Sequence, residues 1–251
     1  MNTNKLQVFV FAMLFVVGAF TGCVDEDDET TTDNSIKIGF LNPITGPLEP
    51  DAAGFKWGAD QAISDLAKMY PDETFKLIEL DSGCSGDVAG PAAQTLVDSG
   101  VVAVVGAACS GASMSANAVL AAAGIPMISY ASTNPGLSDE AKYPHFYRNV
   151  PSDAIQGPAG AAMMADAGVT NESLAILHMT NDYGSGLADS IKAAWEEDGK
   201  LCSAGMQGYE ETTTNFDAMV ANVTGASDCN AVYLSSYCLL YTSPSPRDKT
   251  V

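Results

Sequence analysis

Residues 101–113 read Val101-Val102-Ala103-Val104-Val105-Gly106-Ala107-Ala108-Cys109-Ser110-Gly111-Ala112-Ser113. The opening run is apolar without a break and rich in β-branched valine, which predicts a short strand covered on both faces of a parallel sheet. A glycine and a turn of small residues follow, and residues 110–123 then predict a helix of small side chains. Upstream, residues 36–41 and 75–80 predict strands, while 54–69 and 88–97 show helical spacing. Downstream, residues 126–130 predict a fourth strand, stopped by Asn134-Pro135-Gly136. After Val150-Pro151 the rhythm begins again, with helices over 153–167, 186–197 and 215–223 and strands over 173–178 and 231–235. Strands alternating with helices predict an α/β fold with parallel sheets. Two such blocks predict two lobes, residues 36–150 and 151–237. Ligands of open α/β sheets sit beyond the carboxyl ends of the strands, so the loops after Leu41, Leu80, Val105 and Ser129 are where a site is expected.

The chain has 251 residues, 47% of them apolar, enough to bury a sizeable core. Its formal net charge of -20 repels phosphate backbones and sets nucleic-acid partners aside. Near the N-terminus, Lys5 precedes an apolar run over residues 8–20, too short for a mature membrane span but suited to an export signal. Phe20-Thr21-Gly22-Cys23 closes that run and resembles the lipobox of bacterial-type lipoproteins, with Phe20 where leucine is usual. Residues 1–22 are therefore expected to be a signal peptide, with Cys23 carrying lipid. Residues 23–35, acidic and threonine-rich, are expected to be a flexible tether. Residues 238–251 carry Pro244, Pro246 and a basic cluster that break the α/β rhythm, and they are expected to be a non-native tail. Export would place the cysteines where disulfides persist. Leaving out Cys23 and Cys238, four remain, and sequence alone allows three pairings of Cys84, Cys109, Cys202 and Cys229.

Several segments in order carry a resemblance. They are Ile36-Lys37-Ile38-Gly39-Phe40 running into Pro43-Ile44-Thr45-Gly46-Pro47, then Asp81-Ser82-Gly83-Cys84 and Gly106-Ala107-Ala108-Cys109-Ser110. Next come Ser129-Tyr130-Ala131-Ser132-Thr133-Asn134-Pro135 and Phe146-Tyr147-Arg148-Asn149-Val150-Pro151-Ser152-Asp153. Asp182-Tyr183-Gly184 and Asn215-Phe216-Asp217 complete the set. Each motif is weak alone, but the ordered set resembles the type I periplasmic binding proteins, in particular the branched-chain amino-acid (Leu/Ile/Val) subfamily.

That resemblance implies a two-lobed fold whose second lobe is incomplete here, and an interlobe cleft for an amino acid. It implies that Ser110 and Thr133 hold the ligand carboxylate, that backbone groups of Ala131 receive the ammonium, and that Tyr183 and Tyr237 face the cleft. The family's acidic partner for the ammonium would lie beyond residue 237. The subfamily's disulfide implies Cys84 with Cys109, and parity and position then favour Cys202 with Cys229. The chemistry of the turn agrees: a helix opening at Ser110 offers unpaired N–H donors to a carboxylate without any basic side chain. Ser110 would equally serve as a plain helix cap.

The function implied is a receptor of an ABC importer, working with a separate permease and ATPase, anchored to the membrane through its lipid, with no reaction catalysed and no cofactor. A sensor for amides, urea or short peptides on the same fold is the alternative. Other chemistries lack their residues. The glycine spacing from Gly106 to Gly111 has no lysine after it for a phosphate loop, and no G-x-S-x-G elbow occurs. His145 and His178 have no metal spacing, and there is no C-x-x-C. Trp57, on the first helix, is expected to pack and not to line a pocket.

Overall fold

The computed structural model describes residues 33–197 and 199–237, all the elements lying in the unit that begins at Ser35. The expected signal peptide, Cys23, nearly all of the tether, Cys238 and the tail lie outside the described residues.

The first lobe alternates β1 (Ile36–Asn42), α1 (Glu49–Met69), β2 (Phe75–Asp81), α2 (Gly86–Asp98), β3 (Ala103–Val105), α3 (Ser110–Ala122) and β4 (Met127–Ser129). A 3-10 turn at Pro135–Ser138 leads to β5 (Phe146–Arg148). The strands form one sheet in the order β2-β1-β3-β4-β5, every pair parallel. The second lobe continues with α4 (Asp153–Asp166), β6 (Leu174–Met179), α5 (Asp182–Glu196), β7 (Met206–Tyr209), α6 (Asp217–Gly225) and β8 (Ala231–Ser235). Its sheet is parallel in the order β7-β6-β8.

Both sheets reverse direction of build beside their first strand, between β1 and β3 and between β6 and β8. Loops diverge there and leave a crevice at the carboxyl ends. Small side chains bring the supporting helices close. In the first lobe Ala89 and Ala93 of α2 and Ala112 and Ala116 of α3 are buried with Leu41, Leu96, Val104 and Leu120. A Cβ on Gly90 would stand 2.8 Å from Ser115 Oγ, so α2 and α3 touch where α2 has no side chain. In the second lobe α4 and α5 meet in the same way at Gly157, whose added Cβ would lie 2.5 Å from Ser190. Leu174, Ile176, Leu187, Ile191 and Trp195 fill that core.

The apolar run that opened the sequence reading is shorter as a strand than its composition predicts. Val104 is fully buried, but Val102, at the edge of the ladder and joined to β1 through its N–H bond to the Lys37 carbonyl, is 57% exposed. Trp57 is 69% exposed on α1, which corrects the expectation that it packs. β5 and β7 were not predicted. Each is three or four residues long, β5 following His145 in a left-handed backbone conformation and β7 containing Gly208. Their strand character comes from pairing with β4 and β6.

Candidate ligand-binding site

The β3–α3 loop is held from behind by buried serines. Ser129 Oγ donates to the Ala107 carbonyl at 2.6 Å, and Ser113 and Ser132 lie 3.1 Å from the same oxygen and 2.8 Å from each other. All three side chains are sealed from solvent, so a polar network fixes the turn before Ser110. From the front, the Cys84–Cys109 disulfide joins this turn to the loop after β2, its Cα atoms 5.1 Å apart. The second bridge, Cys202–Cys229, closes the far side of the second lobe.

The loops after β1 and β2 are tied together by Asp81. Its carboxylate accepts from Thr45 N and Thr45 Oγ1 at 3.1 and 2.6 Å and from Gly83 N at 2.8 Å. Burial pushes this carboxyl up, but the hydroxyl and amide donors outweigh it and hold the group below the usual range. Gly46 and Gly83 both have positive φ, and a Cβ on Gly46 would meet the Gly83 carbonyl at 2.5 Å. Two glycines are what let these loops pass each other.

A cavity of about 380 Å³ opens in front of these loops. Cys84, Ser85, Gly86 and Gly111 wall it from the first lobe; Thr180, Asn181, Asp182, Tyr183, Glu210, Glu211, Thr212 and Tyr237 wall it from the second. Tyr183 and Tyr237 are stacked, centroids 5.3 Å apart and rings 7° from parallel. The Tyr237 hydroxyl lies 3.5 Å from Cys84 Sγ, linking the second-lobe aromatic pair to the first-lobe disulfide. Burial pushes the Tyr237 phenol well above its usual range, and the Glu211 carboxylate adds to the effect. Asn181 caps α5, accepting from Gly184 N at 2.8 Å, and its amide donates to Glu211. Among the described residues the wall holds three acidic side chains and no lysine, arginine or histidine.

Of the sequence-predicted site residues, Tyr183 and Tyr237 are brought together in this wall, and Gly111 places the α3 N-terminus there. Ser110 is the first residue of α3 and is buried, its Oγ accepting from Asn134 N at 3.2 Å. The cap position itself belongs to Cys109, which makes no side-chain capping bond, so Ser110 is not the cap. Ser110, Ala131 and Thr133 do not line the cavity, and Ala131 and Thr133 are half-buried in the loop after β4. That loop spans the lobes, since Asn134 Nδ2 donates to the Asp182 carbonyl. Thr133 Oγ1 donates to Asp153 Oδ2 at 2.8 Å.

Sequence reasoning missed Asn181, Glu211 and Asp153 as participants. For Asn181 a signal exists: Asn-Asp ahead of an amphipathic run marks a helix start, and α5 begins at Asp182 and not at residue 186. Glu211 has no local signal, since one glutamate in an acidic loop looks like any other. His178 is buried, with Nδ1 2.9 Å from the Met179 carbonyl, away from the cavity wall.

Two parallel α/β lobes with a cavity walled by loops from the carboxyl ends of both sheets have the architecture of the periplasmic binding proteins, and that family's model matches residues 35–237. The chain belongs to this family. The leucine-, isoleucine-, valine-, threonine- and alanine-binding protein of Pseudomonas aeruginosa is 27% identical over 206 residues, 81% of this chain and 54% of that protein. The leucine-specific-binding protein of Salmonella typhimurium is 28% identical over 206 residues, 81% of this chain and 55% of that protein. Among solved structures, the branched-chain amino acid transporter substrate binding protein LivJ from Streptococcus pneumoniae, in complex with isoleucine, superposes with a TM-score of 0.68. It is 24% identical and covers 80% of this chain and 56% of its own, a likeness of fold. The chain thus spans about half the length of the relatives it matches.

Proposed function

We propose that this chain is the greater part of the ligand-binding region of an exported ABC-importer receptor, anchored by lipid at Cys23 after removal of residues 1–22. In this reading residues 23–35 are the tether, residues 36–150 and 151–237 are the two lobes, and residues 238–251 are foreign to the natural protein. It captures a branched-chain or similar amino acid between the lobes and passes it unchanged to a permease driven by an ATPase.

The observation that carries this reading is the α3 N-terminus braced by a disulfide at the edge of a cavity whose opposite wall is a tyrosine pair. Free N–H groups at a helix start suit a carboxylate. The aromatic pair suits an apolar side chain. Asp182, Glu210 and Glu211 on the cavity wall provide negative potential for the ammonium, and Ser110, Ala131 and Thr133, in the adjoining loops outside the wall, are the further polar contacts that the family resemblance implies. Named relatives that bind leucine, isoleucine or valine support the ligand class.

Calorimetry of the full chain against the L-amino acids tests the reading. One or more of leucine, isoleucine and valine is expected to bind. Ser110→Ala is expected to weaken that binding by about tenfold, the loss of a hydrogen bond to a charged group. No heat with any L-amino acid from a folded chain would sink the proposal.

A further inference from the structure

The carboxyl ends of all three strands in the second sheet lead to one cavity wall, and each brings a group that favours positive charge. The loop after β6 brings Asp182, the loop after β7 brings Glu210 and Glu211, and the segment after β8 brings Tyr237, stacked on Tyr183. Glu211 is held in place, since the Asn181 amide donates to its carboxylate and Asn181 is itself fixed as the cap of α5. Burial first, then the Glu211 carboxylate and more weakly that of Asp182, keep the proton on the Tyr237 phenol. The field of the acids therefore reaches the aromatic pair.

Among the described residues, no lysine or arginine answers these charges. The ion pairs there join Lys56 to Asp60 and Glu79, Lys68 to Asp65 and Lys192 to Glu196, all away from this wall. Asp182 also faces the start of α3 across the cleft, where a Cβ on Gly111 would collide with its Oδ2. There it opposes a ligand carboxylate bound by the α3 amides. An amino acid with an apolar side chain carries one ammonium and one carboxylate, so it brings no net charge to three acids. A second cation on the side chain changes that sum. A methylene stem ending in a cation suits this wall in both parts. The stem suits tyrosine rings, whose faces are themselves electronegative, and the cation donates charge-assisted hydrogen bonds to carboxylates.

We propose that the cavity prefers an L-amino acid with a cationic side chain, of the lysine or arginine type, with Glu210 and Glu211 as the specificity-determining residues. This rests on the reading that the cavity takes an amino acid, and it narrows the side chain. Leucine still binds, less tightly. The preference differs from the uncharged side chains in the names of the relatives.

Calorimetry of the full chain compares L-lysine with L-norleucine, the same skeleton without the side-chain amine, and L-arginine with L-citrulline, its uncharged counterpart. In each pair the charged member should bind about tenfold tighter, the worth of a hydrogen bond between charged groups. That ratio should narrow as salt is raised. Glu211→Gln keeps an acceptor oxygen for Asn181 and removes the charge, and should abolish most of the lysine-to-norleucine ratio. Glu210→Gln with Glu211→Gln should abolish the rest. Both residues are exposed in a loop, so cooperative melting is expected of each variant. If L-norleucine, L-citrulline or L-leucine binds as tightly as the charged amino acids, or if the ratio survives the double substitution, the preference assigned to these acids is overturned while the amino-acid reading stands. No heat with any L-amino acid from a folded chain overturns both.

Discussion

Asp81 shows how a single side chain frames the cleft. Three donors from two loops converge on it, and together they hold its carboxyl below the usual range although burial opposes them. A depressed folded-state value means that stability is present above the unfolded value, near 3.8, and is lost as pH falls through the lower folded value. Asp81→Asn should therefore lower the melting temperature at pH 6, and the gap to the unsubstituted chain should close as the pH is taken below about 4. A gap that stays constant with pH would show that shape and not charge does the work. The family resemblance put Tyr183 and Tyr237 at the cleft, and both stand in the cavity wall, whereas Ser110 does not line it. Asp153 was legible only as the start of a helix. Its partner Thr133 is 20 positions earlier, a separation that no local pattern reports.

Among the helices and loops, the two disulfides staple segments of 25 and 27 residues. Closing loops of that length stabilises by about 3.5 kcal/mol each in the chain-entropy picture. Reductant should lower the melting temperature, and Cys202→Ser/Cys229→Ser should do so without altering ligand affinity, because that pair is remote from the cavity wall. Cys84→Ser/Cys109→Ser should cost both stability and affinity. The α4–α5 crossing depends on the missing side chain at Gly157, where an added Cβ would stand 2.5 Å from Ser190. Gly157→Ala should destabilise by about 1–3 kcal/mol, read as a shift in denaturant midpoint. Long elements such as α1 and α3 were legible from periodicity. β5 and β7 were not, because a run of three or four residues has too little pattern to separate strand from loop.

Across the molecule as a whole, the first sheet is unevenly clothed. α1 packs over β1 and β2 on one face, where a groove lined by Phe40, Phe55 and Val105 runs beside it. In register with Phe40 and Val105, Ile128 and Tyr147 point to the same face and are 43% and 58% exposed. An open apolar sheet face beside an edge strand favours self-association. The chain should therefore associate with rising concentration in light scattering, and Ile128→Thr with Tyr147→Thr should suppress that. If the pair leaves the concentration dependence unchanged, another surface is responsible.

Alternation of apolar strands with helices, the turn before Ser110 and the cysteine parity were enough to read a parallel α/β architecture and a cleft, because these are local and follow from backbone periodicity and small-residue spacing. The strand order, the stacking of Tyr183 on Tyr237, the acids on the cavity wall and the Thr133–Asp153 bond were decided by tertiary structure. Each joins residues from different elements, and the contact energy that selects such a pair exists only once both sheets have formed.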